Sequence, residues 1–353
     1  MSGGVDSAVT AALLVARGYD CIGVTMRLVP EHEEKSVFEP CCGLEAAADA
    51  RRVCEKLGIP HQTMHAVERF DQDIIRYFVD EYARGRTPNP CARCNRMIKF
   101  GALYTYADKL GADYIAMGHY ARLEPRGDRW SLRRAVHRPK DQSYVLAPLT
   151  QPQLRRALFP LGELTKQEVR EHALGLDFRT ANKTESMEIC FVPDRDYARV
   201  VEARAGASRP GPVLNTRGEV IGEHRGLMHH TLGQRRGLGI AAERPYYVVR
   251  LDPERNAVIV GHEEETGCTH FTTGPLCWGG MAPTAKPFDC HVQLRSRHDG
   301  APARVVPQGR AARIELKTTE RSVTPGQWAV CYDDEGFVLC SGIVDTFESA
   351  PVA

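Results

Sequence analysis

Apolar positions in the first half of the chain recur with helical and strand periods in alternation. Val9, Ala12, Leu13 and Ala16 fall on one helical face, and Gly18 follows as a stop. Cys21–Met26 is a short apolar run that reads as a buried parallel strand. After a polar loop, His32–Pro40, the spacing predicts a helix over Leu44–Leu57, closed by Gly58 and Pro60, then a short strand over His61–Val67. Phe70, Ile74, Ile75, Phe78 and Tyr82 predict the next helix, and Phe100–Leu110, stopped by Gly111, another. Asp113–Met117 reads as a strand with Gly118-His119-Tyr120 at its carboxyl end. Helices are predicted around Gln151–Leu158, Lys166–Leu174 and Tyr197–Arg204. Alternating strands and helices predict an α/β unit with a parallel sheet, which binds ligands at the carboxyl ends of its strands.

The pattern changes near Gly206–Pro212, a Gly/Pro-rich stretch that reads as a linker. Beyond it the elements are short strands. Pro212–Leu214 and Val220–Gly222 flank Thr216-Arg217-Gly218, a hairpin signal, and Tyr246–Leu251 and Ala257–Val260 flank another turn. Val292–Arg295, Ala312–Leu316, Trp328–Tyr332 and Val338–Val344 are regularly spaced strand candidates that suggest a small β-barrel or sandwich. The expected domains are 1–205, 206–268 and 269–353: α/β, a central mostly-β unit, and a C-terminal β-barrel.

Composition narrows the class. Net charge is +1, so any nucleic-acid site must be a local patch. Arg122–Lys140 holds seven Lys/Arg against two acids and is a candidate phosphate-contact segment. No apolar run is long enough to span a membrane and no signal peptide precedes the first helix, which reads as a cytoplasmic protein. Twelve cysteines without a secretory signal then point to thiol, metal or redox chemistry.

Two constellations carry candidate chemistry. Ser2-Gly3-Gly4-Val5-Asp6-Ser7 opens onto the first helix, where backbone N–H groups and the helix dipole favour a phosphate. It is not the G-x-x-x-x-G-K-[ST] loop. Ser2 and Ser7 add hydroxyls, and Asp6 can orient a metal or a phosphate-bound water. The second is Thr87-Pro88-Asn89-Pro90-Cys91-Ala92-Arg93-Cys94, a two-proline loop ending in C-x-x-C, with Cys190 far downstream. Arg93 beside Cys94 suits a reactive thiolate, and such thiols suit persulfide or disulfide exchange. Three thiolates could instead hold an iron–sulfur cluster. Cys21 and Cys54 read as core; Cys41-Cys42 could be either; Cys268, Cys277, Cys290, Cys331 and Cys340 read as packing residues of the β region.

On these motifs the chain resembles the bacterial and organellar tRNA-specific 2-thiouridylases of the PP-loop (N-type) ATP pyrophosphatase superfamily. The resemblance rests on Ser2–Ser7, Thr87–Asn95, Gly118–Tyr120, Lys140–Tyr144, Ile189–Phe191, Gly226–Gly239 and Thr324–Gln327. It implies an ATP- and Mg²⁺-dependent transferase that replaces an oxygen of the tRNA wobble uridine by sulfur, supplied by a donor or relay protein. By motif, Ser2, Gly3, Gly4, Val5, Asp6 and Ser7 match the ATP phosphate site, and Met26 and Gly118 the adenosine site. Asn89, Pro90 and Cys91 match the surroundings of the target base, Cys94 the nucleophile and Cys190 the persulfide carrier. His119, Lys140, Asp141, Gln142, Arg295, Ser296 and Gln327 match tRNA contacts. Cys91 stands where some members carry an acid, which favours the iron–sulfur alternative. Glu185–Cys190 stands where D-S-x-x-I-C is usual. The fold places a strand ahead of the phosphate loop, but only Met1 precedes it here, so a truncated or late-assigned start is expected. Other PP-loop synthetases, which need no paired cysteines, and a tRNA-binding module without turnover are the rival readings.

Overall fold

The computed structural model describes residues 1–29, 44–183, 189–192, 196–206, 208–321 and 323–349. Cys41, Cys42, the His32–Pro40 loop and Glu185–Glu188 lie outside the described residues. The first elements are α1 (Val5–Ala16), β1 (Gly23–Arg27), α2 (Leu44–Leu57) and β2 (His61–His65). β1 and β2 pair in parallel with Met26 opposite Met64. α3 (Val67–Phe70) and α4 (Tyr77–Ala83) join through a π-helical turn, and the run buries Phe70, Ile74, Ile75, Phe78 and Tyr82, the predicted stripe. α5 (Pro90–Cys94) continues through a second π-helical stretch into α6 (Leu103–Lys109), followed by β3 (Ile115–Ala116).

Three features here depart from expectation. The parallel strands form two separate pairs rather than one sheet: β1 with β2, and β3 with β6 (Ala157–Leu158). Ala157–Leu158 is therefore strand, not the end of a helix. Ile115 N donates to Arg156 O and Met117 N to Leu158 O, which commits those carbonyls to the ladder. The helix before it stops at Arg155. The third departure is the basic stretch after Gly118. It folds into an antiparallel hairpin, β4 (Ala121–Arg126) and β5 (Arg129–Arg134), that packs on the C-terminal strands. Arg129 donates to the Gly279 and Trp278 carbonyls at 2.9 Å each, and Arg126 pairs with Asp333 at 2.5 Å. The Arg134 guanidinium lies 3.7 Å over the Tyr332 ring. These three arginines each have a partner on the C-terminal strands.

α7 (Ser143–Leu146) and α8 (Gln151–Arg155) flank the second strand pair, and α9 (Lys166–Gly175) and α10 (Tyr197–Ala205) complete the helices. The next strands form one four-stranded sheet. β7 (Gly211–Asn215) and β8 (Val220–His224) are the expected hairpin, and β9 (Tyr247–Asp252) and β10 (Ala257–Gly261) the second; β7 and β10 pair in parallel at its centre.

The last part is a closed six-stranded barrel. β11 (Gly267–Thr273), β13 (Phe288–Gln293), β14 (Ala301–Gln308), β15 (Ala311–Arg321), β16 (Trp328–Tyr332) and β17 (Val338–Ser349) run in the order β11-β15-β14-β13-β16-β17 and return to β11, with β12 (Cys277–Trp278) paired outside on β17. Alternate residues fill its interior: Ala303 and Val305, Ala312 and Ile314, Cys290 and Val292. β16 serves two cores. Ala329 and Cys331 face the barrel interior, while Trp328, Val330 and Tyr332 pack with Leu132, Tyr144, Leu146 and Phe159 of the α/β part. That is why this strand reads as an unbroken apolar run.

Candidate active site

The glycine loop turns tightly into α1 for reasons local to its sequence. Gly3 has φ +69°, and a Cβ there would lie 2.3 Å from the Ala46 carbonyl oxygen, so the position admits glycine alone. Gly4 then caps α1 without any side-chain bond to the first turn. The N-terminal amides of the helix are left for another acceptor. Ser7 Oγ donates to Gly4 O at 3.0 Å and lies 3.2 Å from Ser2 Oγ, which draws both hydroxyls to the same loop.

This loop opens on a cleft of roughly 1520 Å³ that runs between the two strand pairs, with Gly23, Val24 and Met26 on one side and Ile115, Ala116 and Met117 on the other. Of the sequence candidates, Ser2–Ser7, Met26, Pro90, Cys91, Cys94, Gly118, His119, Lys140, Gln142 and Cys190 all line it. Gly118 is held at the mouth of α1, where a Cβ would lie 2.9 Å from the Asp6 carbonyl carbon. Residues separated by more than a hundred positions thus share one wall.

α5 carries the C-x-x-C pair. Pro90 occupies its first turn and Asn89 Oδ1 accepts from Ala92 N at 3.0 Å, an N-cap. Cys91 and Cys94, three apart, lie on neighbouring turns of one face; Cys91 is exposed and Cys94 buried. Cys94 and Cys190 pack on the same apolar cluster as Phe70, Ile98 and Phe191. Arg93 does not turn toward the thiols: its Nε donates to Asp73 O, and its guanidinium lies 4.0 Å over the Tyr77 ring. Among the described residues no three His, Cys, Asp or Glu side chains come together as a metal-binding group.

The tRNA candidates fall into three settings. Arg295 and Ser296 are exposed on the barrel side. His119 is buried with no hydrogen-bond partner at Nδ1, and burial, then the Lys99 ammonium, pushes its imidazole well below the usual histidine range. Gln142 is a brace, its Oε1 accepting from Tyr120 N at 3.0 Å. Asp141 is almost fully buried. Its carboxylate accepts from Ala135 N at 2.9 Å and Ser143 Oγ at 2.8 Å, and pairs with Arg134 at 3.4 Å. It orders the Lys140–Ser143 turn from within.

Gln327 bridges the barrel to the cysteine helix. Its Nε2 donates to Thr87 O at 3.1 Å and Pro88 O at 3.3 Å, and Thr87 N donates to Pro325 O at 2.9 Å. Gly326, at φ +95°, lets the two backbones touch: a Cβ would lie 2.9 Å from Thr87 C and O.

Sequence reasoning missed Lys166. Its ammonium is 2.6 Å from Asp6 Oδ1, which also accepts from Tyr120 OH at 2.9 Å. The signal present in the chain was Thr165…Glu168, a capping box that marks where α9 starts. It gives no hint that the next side chain reaches a residue 160 positions earlier.

Comparison with known proteins covers nearly the whole chain. The family described as tRNA methyl transferase HUP domain matches residues 1–194. The tRNA methyl transferase PRC-barrel domain matches 199–262, and the aminomethyltransferase beta-barrel domain 268–344. A protein named tRNA-specific 2-thiouridylase MnmA from Symbiobacterium thermophilum is 47% identical, over 98% of this chain and 90% of the relative. One of the same name from Chloroflexus aggregans is 48% identical over 94% of each. A solved structure of NMN synthetase from Francisella tularensis matches 58% of this chain and 74% of its own, at 17% identity and a TM-score of 0.33, too slight a likeness to build on.

Proposed function

The chain belongs to the tRNA-specific 2-thiouridylase family, and on that premise we propose the following division of labour for an ATP-dependent tRNA sulfurtransferase acting on uridine. ATP sits with its phosphates on Ser2–Ser7 and its adenosine between Met26 and Gly118. Asn89, Pro90 and Cys91 surround the target base, with Asn89 acting through the cap it gives α5. Lys140, Arg295 and Ser296 meet the tRNA, while His119, Asp141, Gln142 and Gln327 shape the surfaces that do. Residues 1–205, 206–268 and 269–353 are the corresponding units. The target is the wobble uridine, everted from its stack as base-modifying enzymes require.

The observation that carries this reading is the meeting of the glycine loop, Cys94 and Cys190 in one cleft. Some matching families are described by methyl transfer, but methyl transfer needs neither a phosphate loop nor two thiols. Uridine O2 is a poor leaving group. Its attack on the α-phosphorus of ATP breaks the α–β bond, releases pyrophosphate and turns O2 into the oxygen of AMP. The terminal sulfur of a Cys190 persulfide, or hydrosulfide released from it, then attacks C2 and AMP departs. On the direct route, the Cys94 thiolate attacks Cys190 Sγ. The sulfur–sulfur bond breaks with its electrons going to the new thione, and a Cys94–Cys190 disulfide remains for a thiol reductant to reopen. Mg²⁺ suits the site's oxygen donors: Asp6 offers a carboxylate beside the loop, and the cation would supply charge neutralisation of the phosphates when bound.

The test is thiolation in vitro, with unmodified tRNA, ATP, Mg²⁺ and a sulfide source, and nucleosides read by mass spectrometry. The expected product is 2-thiouridine that requires ATP and is lost in Cys190→Ser, with ATP binding retained. Loss of ATP binding in that variant would remove Cys190 from the sulfur step.

A further inference from the structure

We propose that Asn95 reads the target base: its side-chain carbonyl accepts the N3–H of the uracil that enters the cleft. The proposal rests on the reading that a uridine is thiolated beside Cys94 and Cys190. Three observations carry it. Asn95 follows Cys94 directly, is 1% exposed, and lines the cleft together with Cys94, Val145 and Cys190. Its amide is held in one orientation. Nδ2 donates to Val145 O at 3.0 Å, and a carbonyl only accepts, so the other end of the amide is the oxygen. That oxygen, Oδ1, is buried and has no hydrogen-bond partner among the described residues.

A buried acceptor left unpaired costs stability, and in a folded protein it calls for a ligand or a functional reason. The chemistry of the cleft narrows the donor. The base of a uridine carries a single N–H, at N3, and N3 is bonded to C2, the carbon that sulfur must reach. A base that presents C2 to the two thiols therefore brings its N–H to the residue next to Cys94. Cytosine fails the same test, because its N3 is itself an acceptor and sets two lone pairs against each other. The bond also strengthens as the reaction proceeds. When O2 attacks the α-phosphorus, an oxygen lone pair forms the new O–P bond, pyrophosphate leaves, and the ring takes up positive charge shared by N1, C2 and N3. N3–H becomes a stronger donor, so Oδ1 holds the activated base more tightly than the starting one. Sulfur then adds to C2, the C2–O2 bond breaks with its electrons leaving on AMP, and the thione keeps its N3–H throughout.

The probes are two tRNAs, identical except for uridine or 3-methyluridine at the target position. The wild-type protein prefers uridine about 100-fold in kcat/KM. In Asn95→Ala the rate on uridine falls about 10- to 100-fold and the preference shrinks below about 10-fold, because the smaller side chain has neither a bond to lose nor bulk to exclude the methyl group. An equal loss on both substrates is what a purely structural role gives, and it overturns the proposal. ATP affinity, read by calorimetry, is unchanged in Asn95→Ala; a loss there with the preference intact would give the acceptor to the adenine amino group and refute the uracil assignment. A second measurement needs no variant. An anticodon stem-loop with ¹⁵N at N3 of the target uridine, bound to the wild-type protein, shows an imino proton with a nuclear Overhauser contact to the Asn95 Nδ2 protons; a complex without that contact also overturns the proposal. The two levels fail differently. If the wild-type protein makes no 2-thiouridine from the uridine tRNA, the sulfurtransferase reading falls and takes Asn95 with it. If it does, and Asn95→Ala keeps the full preference, the asparagine alone is refuted.

Discussion

Replacing Gln327 by alanine tests whether the barrel holds the cysteine helix in place. The side chain gives two hydrogen bonds across the interface, to Thr87 O and Pro88 O. Its Oε1 contacts, with Asn89 Nδ2 at 3.5 Å and Tyr144 OH at 3.4 Å, are long and are left out of the sum. Two bonds at about 0.5–1.5 kcal/mol each amount to about 1–3 kcal/mol. Tyr144 OH keeps its 2.9 Å bond to Trp328 O, and the Trp328–Val330–Tyr332 face keeps its packing, so the barrel itself stays docked. The loss therefore falls on the 86–94 segment. If α5 opens locally, that energy raises its open population about 5- to 150-fold. The assay is alkylation by iodoacetamide, read peptide by peptide. Cys91, already exposed, serves as the internal control, and buried Cys94 should react faster by that factor with little change in Tm. Thiolation should fall in kcat more than in ATP affinity. Unchanged Cys94 alkylation, or a Tm loss with no local signal, would refute the brace.

Two further outcomes are expected. Gly118→Ala places a Cβ 2.9 Å from the backbone of Asp6, which cannot yield as a side chain would; it should cost about 1–3 kcal/mol and weaken ATP binding, whereas Gly175→Ala, with open space around it, should be neutral or slightly stabilising in a urea titration. His230 is pushed down to about 4, first by burial and then by His224, His229 and Arg225. Its folded value lies below its unfolded one, so the neutral ring's contribution is complete above about pH 6.5 and is lost as pH falls toward 4. Discounted for partial hydration, this is about 1–2 kcal/mol. The difference in urea stability between wild type and His230→Gln should shrink by that amount from pH 7 to pH 4.5, and a constant difference would contradict it.

Much of this protein was legible along the chain, because short-range physics decides it. Helical spacing located the Phe70–Tyr82 stripe and the body of α1, and glycine and proline located the turns between them. The glycine loop and C-x-x-C announced their chemistry through residue type alone. Regular spacing of short apolar runs announced the barrel strands β13, β15, β16 and β17, although β11 and β14 escaped notice: β14 begins Ala-Pro-Ala-Arg, too weakly apolar to stand out. What tertiary structure alone decided concerns groups that meet across long stretches of sequence. The arginines of Arg122–Lys140 looked like a phosphate patch, yet the C-terminal strands offered Arg126, Arg129 and Arg134 nearer partners: Asp333, two carbonyls and the Tyr332 ring. Asp141 and Gln142 match tRNA contacts by motif, and the fold gives their side chains internal donors, Ala135 N and Tyr120 N. Asp6 found Lys166, and Thr87 found Gln327. Periodicity reports which face of an element is buried. It does not report against what, because that depends on which distant surface arrives, and the charges and carbonyls waiting there set each polar group's final role.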